Sequence, residues 1–555
     1  MIEDLWYKNT VIYSLDLETF MDANGDGVGD FKGLMHKLDY LHSLGVGTVW
    51  LAPFQPTPNR DNGYDISDYY GVDPRHGSSG DFVEFMHQAK KRGIKVIIDL
   101  VVNHTSDEHA WFQASRSDEK SPYHDWYIWS KEKPSDWNEG MVFPGVQEAT
   151  WTYDRKAQKY FYHRFYKFQP DLNIENPEVR EEIDRIMGFW LELGVAGFRV
   201  DAVPFIIETS EPGKKEPEMM FDYVAEMRRF LQWRQGDAVL LGEANVLPEV
   251  TKKYFGNGDG IHMMFNFYVN QHLFYALASG DIEPLAESLK ATKEIFPTAQ
   301  WAVFLRNHDE LDLGRLTEEQ RAKVFEKFGP EKNMQLYDRG IRRRLAPMLG
   351  NRPQLELAYS LVFSLPGTPV LRYGDEIGMG DDLELKEREA VRTPMQWNDG
   401  PQAGFSSSEN TIHPVIDKGP YTYHKVNVEA QRRDSDSLLN WTSTMIRLRK
   451  ECPEIGWGDW AILKTEASDV LVMRYDWQGS TLIILHNFHE KPREVSLKLN
   501  DDDKSQTLIN LLEDEKNEVA EDGTYHILME AFGYCWYRLG APSPLFPSPT
   551  AKQKS

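Results

Sequence analysis

GFRVDAV, at Gly197–Val203, closes an apolar run with an arginine and an aspartate two residues apart. In an extended strand those two side chains share a face, so Arg199 and Asp201 reach the same side of a sheet at the tip of a strand. The same form, an apolar run that ends in polar residues, recurs as DLVVNH at Asp99–His104, GEAN at Gly242–Asn245 and RNHD at Arg306–Asp309. Working outward, the candidate strands are Val11–Asp16, Thr48–Phe54, Lys95–Asn103, Gly197–Ala202, Ala238–Ala244, Met263–Phe267, Ala302–Asn307 and Thr368–Gly374. Stretches of helical period lie between them, such as Gly80–Arg92 and Pro177–Leu193. Eight strands alternating with helices predict the α/β class and a (β/α)8 TIM barrel, whose site lies at the C-terminal ends of the strands. Three tips carry a carboxylate able to do chemistry: Asp201, Glu243 and Asp309.

Two interruptions break the alternation. Between His104 and the helix at Pro177 the chain is far longer than an ordinary connection and holds aromatic-rich strands, which predicts a small domain inserted after the third strand. A second insertion, roughly Leu313–Gln354, is helical and charged and reads as a lid or rim. It contains the one basic cluster, Arg339, Arg342, Arg343 and Arg344, expected to pair with carboxylates. From about Asp436 a helix, Ser437–Lys450, is followed by short alternating strands from Ala461 to Leu539, the pattern of an antiparallel β-sandwich. The expected division is therefore a barrel over 1–103 and 177–435, an inserted domain over 104–176, a C-terminal β-sandwich over 436–540, and a disordered Pro-, Ser- and Lys-rich tail over 541–555.

The chain has 555 residues, 41% of them hydrophobic, ordinary for a globular protein, and a net charge of −25. That charge argues against nucleic acid and anionic membrane surfaces as partners. Only two cysteines occur, Cys452 and Cys535, which is no disulfide framework and suits a reducing cytoplasm. No signal peptide and no apolar stretch of membrane-spanning length is read, so the expected location is cytoplasmic. Nothing in the residues sets an oligomeric state. The loop DANGDGVGD alternates oxygen ligands at Asp22, Asn24, Asp26 and Asp30, with the Val28 carbonyl available. This predicts a structural Ca²⁺ site, without the terminal glutamate of an EF-hand; the alternative is a metal-free turn. No organic cofactor is expected.

Taken with QPDLN at Gln169–Asn173, GTPVLRYGDEIGM at Gly367–Met379 and RTPMQW at Arg392–Trp397, the chain resembles the α-amylase family of retaining α-glycoside hydrolases and transglycosylases over nearly its whole length. The resemblance implies Asp201 as nucleophile, Glu243 as general acid/base and Asp309 as a grip on the sugar hydroxyls. It implies Arg199 as the group that orients Asp201, and His104 and His308 as donors to ring hydroxyls. Asp61 and Tyr64 would close the pocket around one terminal glucose, with Arg392 paired to Asp61. Asp99 and Asn103 read equally as catalytic or as supports of the inserted domain. Within the family, FLRNHDE at Phe304–Glu310 and RGIRRRLAPML at Arg339–Leu349 resemble the branch that interconverts maltose and trehalose. A hydrolytic α-glucosidase acting on small α-glucosides uses the same residues and stays open, as does, more remotely, a non-catalytic scaffold. One departure stands out: YSLDLETF after the first strand places Asp16 and Glu18 where relatives commonly carry an arginine.

Overall fold

The computed structural model describes residues 3–208, 218–499, 507–513, 516–517, 520 and 524–540. Eight parallel strands close a barrel: β1 (Ile12–Leu15), β2 (Thr48–Leu51), β3 (Lys95–Leu100), β4 (Gly197–Val200), β5 (Val239–Gly242), β6 (Met263–Phe265), β7 (Gln300–Phe304) and β8 (Thr368–Arg372). Each pairs with its chain neighbours and β8 closes on β1. The strands are buried on both faces, which is why they read as continuous apolar runs rather than alternating ones. Ile12, Trp50, Ile97, Leu241, Phe265 and Phe304 pack the interior. The ladders stop short of the predicted ends because the tips turn to aim their polar side chains. After β4, Ala202 takes the left-handed conformation (φ 49°) immediately past Asp201.

The outer helices are set by caps. α1 (Ser79–Lys91) starts at a reciprocal Ser78–Asp81 capping box and buries Phe82, Phe85, Met86 and Ala89. α2 (Pro177–Glu192) starts at Asn176 with proline at its first turn and buries Ile183, Ile186, Met187 and Trp190. Between β3 and α2 lies the inserted segment, with a three-stranded antiparallel sheet of Trp129–Ser130, Lys159–Tyr162 and Trp151–Asp154. It is tied to the tip of β3: Leu172 N–H donates to the Asn103 carbonyl at 2.9 Å and Thr105 N–H to Pro170 at 3.1 Å. Asn103 thus supports the insertion.

After β7 the second insertion forms a small sheet of Leu311–Asp312, Gly340–Ile341 and Gln335–Leu336, together with α3 (Glu318–Phe328). Three of its four clustered arginines meet carboxylates as expected, Arg343 with Asp381 (3.3 Å), Arg344 with Asp375 (3.5 Å) and Arg339 with Asp312 (3.6 Å). Arg342 does not; it donates to the carbonyls of Asn333, Leu383 and Leu385 and so fastens the segment after β8.

The C-terminal strands make a six-stranded antiparallel sheet facing the pair Arg493–Lys498 and Thr524–Met529. Val472, Ile483, Leu485, Val495, Ile527 and Tyr537 fill the space between the two sheets. The other face of the larger sheet joins the barrel core at α4 (Arg352–Ser364), where Trp536 Nε1 donates to Ser360 Oγ at 2.9 Å. The expected tail, 541–555, lies outside the described residues. Among the described residues no helix is long and apolar enough to cross a membrane.

Candidate active site

Strand register assembles the site. Asp99 of β3 pairs with Arg199 of β4, and Val200 pairs with Gly242 of β5. The next residues along, Asp201 and Glu243, therefore emerge side by side at the barrel mouth. Arg199 is buried beneath them. Its Nη1 donates to Asp99 Oδ1 (2.5 Å) and Asp201 Oδ1 (2.6 Å), and its Nη2 reaches Glu243 Oε2 (2.7 Å). Trp50 Nε1 holds the second oxygen of Asp99 at 2.8 Å, which makes Asp99 a support for Arg199 rather than a group that faces substrate.

One guanidinium faces three carboxylates. With all three ionised, the pocket would hold two uncompensated negative charges away from water, which is costly. Burial pushes all three upward. Glu243 goes highest, to about 7: burial is the main cause, Arg199 opposes it, and the nearby Asp201 and Asp309 add to it. Asp201 is raised as well, by burial against the pull of Arg199, but only to about 6, so of the two it ionises first as the pH rises.

Asp309 is treated in the opposite way. Burial would raise it, but Arg388 (3.0 Å) and Arg392 (3.1 Å) both hold Oδ1, and His308 Nε2 lies 3.2 Å from Oδ2. The two guanidiniums, Arg388 foremost, outweigh burial and hold the carboxyl far below its usual range. His308 is pushed down to about 3 by burial and is neutral; its Nε2 also meets the Tyr64 hydroxyl at 2.8 Å.

One expectation needs correction. Arg392 does not pair with Asp61: it donates to Asn62 Oδ1, the His308 carbonyl and Asp309, while Asp61 accepts from Gln169 Nε2 at 2.9 Å. The adjacent asparagine, not the aspartate, turns toward the arginine, and the aspartate is left to face the pocket. His104 already uses both ring nitrogens. Nε2 lies 3.0 Å from the Tyr64 carbonyl, which can only accept, and Nδ1 lies 3.3 Å from Asn103 Nδ2. A bond from His104 to a sugar must therefore replace an internal one. The acidic tip of β1 is also explained. Asp16 forms a two-pronged buried pair with Arg372 of β8, and Glu18 accepts from Asn62 (3.2 Å) and Asn59 (3.3 Å), so it steadies the asparagine that meets Arg392.

These groups line a cavity of about 500 Å³ that includes Asp61, Tyr64, His104, Asp201, Glu243 and Asp309. Arg199 and Arg392 lie behind its wall. Sequence reasoning missed Arg388, which lines the cavity and binds Asp309 and Glu310 (2.8 Å); its place four residues before Arg392 was the only signal. It also missed Phe143 and Phe165 from the inserted segment, and Arg315. In the loop 22–30, Asp22 accepts from the Gly25 and Gly27 amides (2.7 and 2.8 Å), Asp30 from Ala23, Asn24 and Gly33, and Asp26 from Val28. Among the described residues no three acidic, histidine or cysteine side chains converge as a metal cluster. The oxygen donors suit a hard cation, but the loop closes on its own amides.

Two carboxylates sharing one arginine, the second raised further than the first, at the mouth of a barrel and in a cleft of small-molecule size, are the equipment for glycosyl transfer; that is the class of enzyme this fold and mouth define. Comparison with known proteins agrees. The profile of the alpha amylase catalytic domain matches residues 14–337 and 338–458, and that of the sucrose hydrolase-like C-terminal domain matches 479–538. A trehalose synthase of Thermus thermophilus is 44% identical over 90% of this chain, which spans 52%, about half, of that protein. The trehalose synthase/amylase of Mycolicibacterium smegmatis is 39% identical over 97% of this chain and 93% of its own. The crystal structure of Bacillus licheniformis trehalose-6-phosphate hydrolase superposes with a TM-score of 0.78 at 26% identity, covering 97% of this chain and all of that one. The chain belongs to the α-amylase family.

Proposed function

We propose that this enzyme interconverts maltose and trehalose by intramolecular glucosyl transfer. The observation that carries the chemistry is the pair Asp201 and Glu243 at the barrel mouth, sharing the Arg199 guanidinium, with Glu243 raised the further of the two, to about 7. Asp201 attacks the anomeric carbon of the terminal glucose. The bond to the glycosidic oxygen breaks as Glu243 gives that oxygen its proton, leaving a β-glucosyl ester on Asp201 and a free glucose. Glu243, now a base, takes the proton from the anomeric hydroxyl of the turned glucose, whose oxygen displaces Asp201 and forms trehalose. Asp309, Asp61 and the Tyr64 wall hold the bound ring.

Isomerisation is favoured by the two relatives, both called trehalose synthase and together matching nearly the whole chain. Hydrolysis is the second reading, because the mycobacterial relative is also called an amylase; water then takes the place of the glucose hydroxyl. The test adds ¹³C-labelled free glucose to unlabelled maltose. Intramolecular transfer gives trehalose nearly free of label. Label in the trehalose at the level of the medium overturns it.

For the loop 22–30 we propose a structural Ca²⁺ held by the oxygens of Asp22, Asn24, Asp26 and Asp30 and the Val28 carbonyl, supported by their alternation in sequence. A chelator lowers the thermal midpoint, and added Ca²⁺ restores it, if the ion is held; an unchanged midpoint contradicts it. A reducing cytoplasmic location suits a chain whose only cysteines are Cys452 and Cys535.

A further inference from the structure

A run of four aromatic rings, one of which, Phe143, lines the cavity, joins two insertions that are distant in sequence. Phe168, Tyr166 and Phe143 belong to the segment after β3, and Tyr337 to the segment after β7. Successive ring centroids lie 5.1, 4.8 and 5.0 Å apart. A third segment, after β8, ties the stack from one side. The Tyr166 and Tyr337 hydroxyls both donate to Glu387 Oε2, at 3.1 and 3.2 Å. Next to it, the Arg388 guanidinium lies 4.8 Å from the Phe143 ring and 5.5 Å from the Tyr337 ring while it grips Asp309. The backbone is strained at this junction: Tyr337, Asp338 and Glu387 all have positive φ (54°, 56° and 42°), a region side-chain-bearing residues rarely take. Strain persists where the surroundings enforce it, and it concentrates at clamps and switches.

We propose that this junction is the clamp that keeps the cleaved glucose in the pocket and water out, and that Tyr337 thereby sets the ratio of transfer to hydrolysis. Tyr337 does not line the cavity. It acts through Phe143 and Arg388, which do, so it is a positioning residue. The chemistry at stake is one step: the β-glucosyl ester on Asp201 is opened either by the anomeric hydroxyl of the retained glucose, with that proton passing to Glu243, or by water, whose proton passes to Glu243 and whose oxygen ends on free glucose. A clamp that loosens lets glucose leave and water enter, without changing the carboxylates that cleave the first bond.

The inference rests on the isomerase reading, and the experiment separates the two. Wild type, Tyr337→Ala and Tyr337→Phe are incubated with maltose, and trehalose and free glucose are measured by NMR. Cleavage is followed separately with a chromogenic α-glucoside, and folding by thermal melt. Wild type giving trehalose, with Tyr337→Ala raising the glucose-to-trehalose ratio at least fivefold at a cleavage rate within threefold, supports the clamp. Tyr337→Phe keeps the stack and loses one bond to Glu387, so its ratio falls between the two. Wild type giving only glucose overturns the isomerase reading and the clamp's role with it. Wild type giving trehalose while both variants keep its ratio, or variants in which cleavage and transfer fall together, overturns the clamp alone. If Tyr337→Ala does not fold, Tyr337→Phe and Tyr166→Phe decide: neither moving the ratio contradicts the proposal.

Discussion

Arg199 is the residue on which the chemistry turns, because it pairs at once with Asp99, Asp201 and Glu243. Replacing Glu243 by Gln removes the proton donor. The expected fall in kcat on maltose is about 10²- to 10⁴-fold, and much less for the first step on α-glucosyl fluoride, whose leaving group needs no proton; an equal loss on both substrates contradicts the assignment. The pH profile follows from the same groups. Asp201 must be ionised, so activity falls as the pH drops below its raised value; Glu243 must be protonated, so kcat/KM falls as the pH climbs past about 7. Arg199→Gln takes away the charge that favours ionised Asp201 and moves the acid limb to higher pH. A limb that stays in place shows that Arg199 does not tune the nucleophile. Much of this was legible in sequence, because Arg199 and Asp201 lie two apart on one strand and the other acids stand at strand tips. Arg388 and the true partner of Arg392 were not. Both depend on how loops after different strands fold back over the mouth, and no local period encodes that.

The elements carry a different lesson. All eight barrel strands were readable because burial on both faces makes them plain apolar runs, and the caps at Ser78 and Asn176 mark their helices. The acidic tip of β1 was not interpretable until Arg372, on β8, was seen beside it across the seam that closes the barrel. Burial pushes the Asp16 carboxyl up, but Arg372 outweighs it and holds it at about 2. A folded value below the unfolded 3.8 means that this pair stabilises the fold above about pH 4, and that its contribution is lost as the pH falls through about 2. Asp16→Asn leaves Arg372 buried with no counter-charge, at a cost of about 3–5 kcal/mol. A clear drop in the thermal midpoint at neutral pH is expected. An unchanged midpoint shows that the seam does not depend on this pair.

At the scale of the whole molecule, the C-terminal sandwich has a core of its own between its sheets, and the outer face of its larger sheet joins the barrel's core. Trp536, Tyr475 and Ile484 belong to the same buried cluster as the barrel helices, and Trp536 is bonded to Ser360 of α4. Trp536→Ala should destabilise the enzyme by about 3–5 kcal/mol and leave KM for maltose unchanged, as seen by thermal melt and steady-state kinetics; a change in KM without a loss of stability contradicts it. Both insertions line the cavity, through Phe143 and Phe165 on one and Arg315 and Arg339 on the other, and the proposed isomerase needs such walls to hold a glucose that has been cut free. Their existence was visible as overlong connections, whereas their meeting through stacked rings is a tertiary fact. The central claim is that one site converts maltose and trehalose into each other. The most direct measurement is an NMR time course of the purified enzyme, started separately from each disaccharide. The account predicts that both reactions approach the same mixture of maltose and trehalose with little free glucose. Steady accumulation of glucose from either sugar, with no appearance of the other, contradicts it.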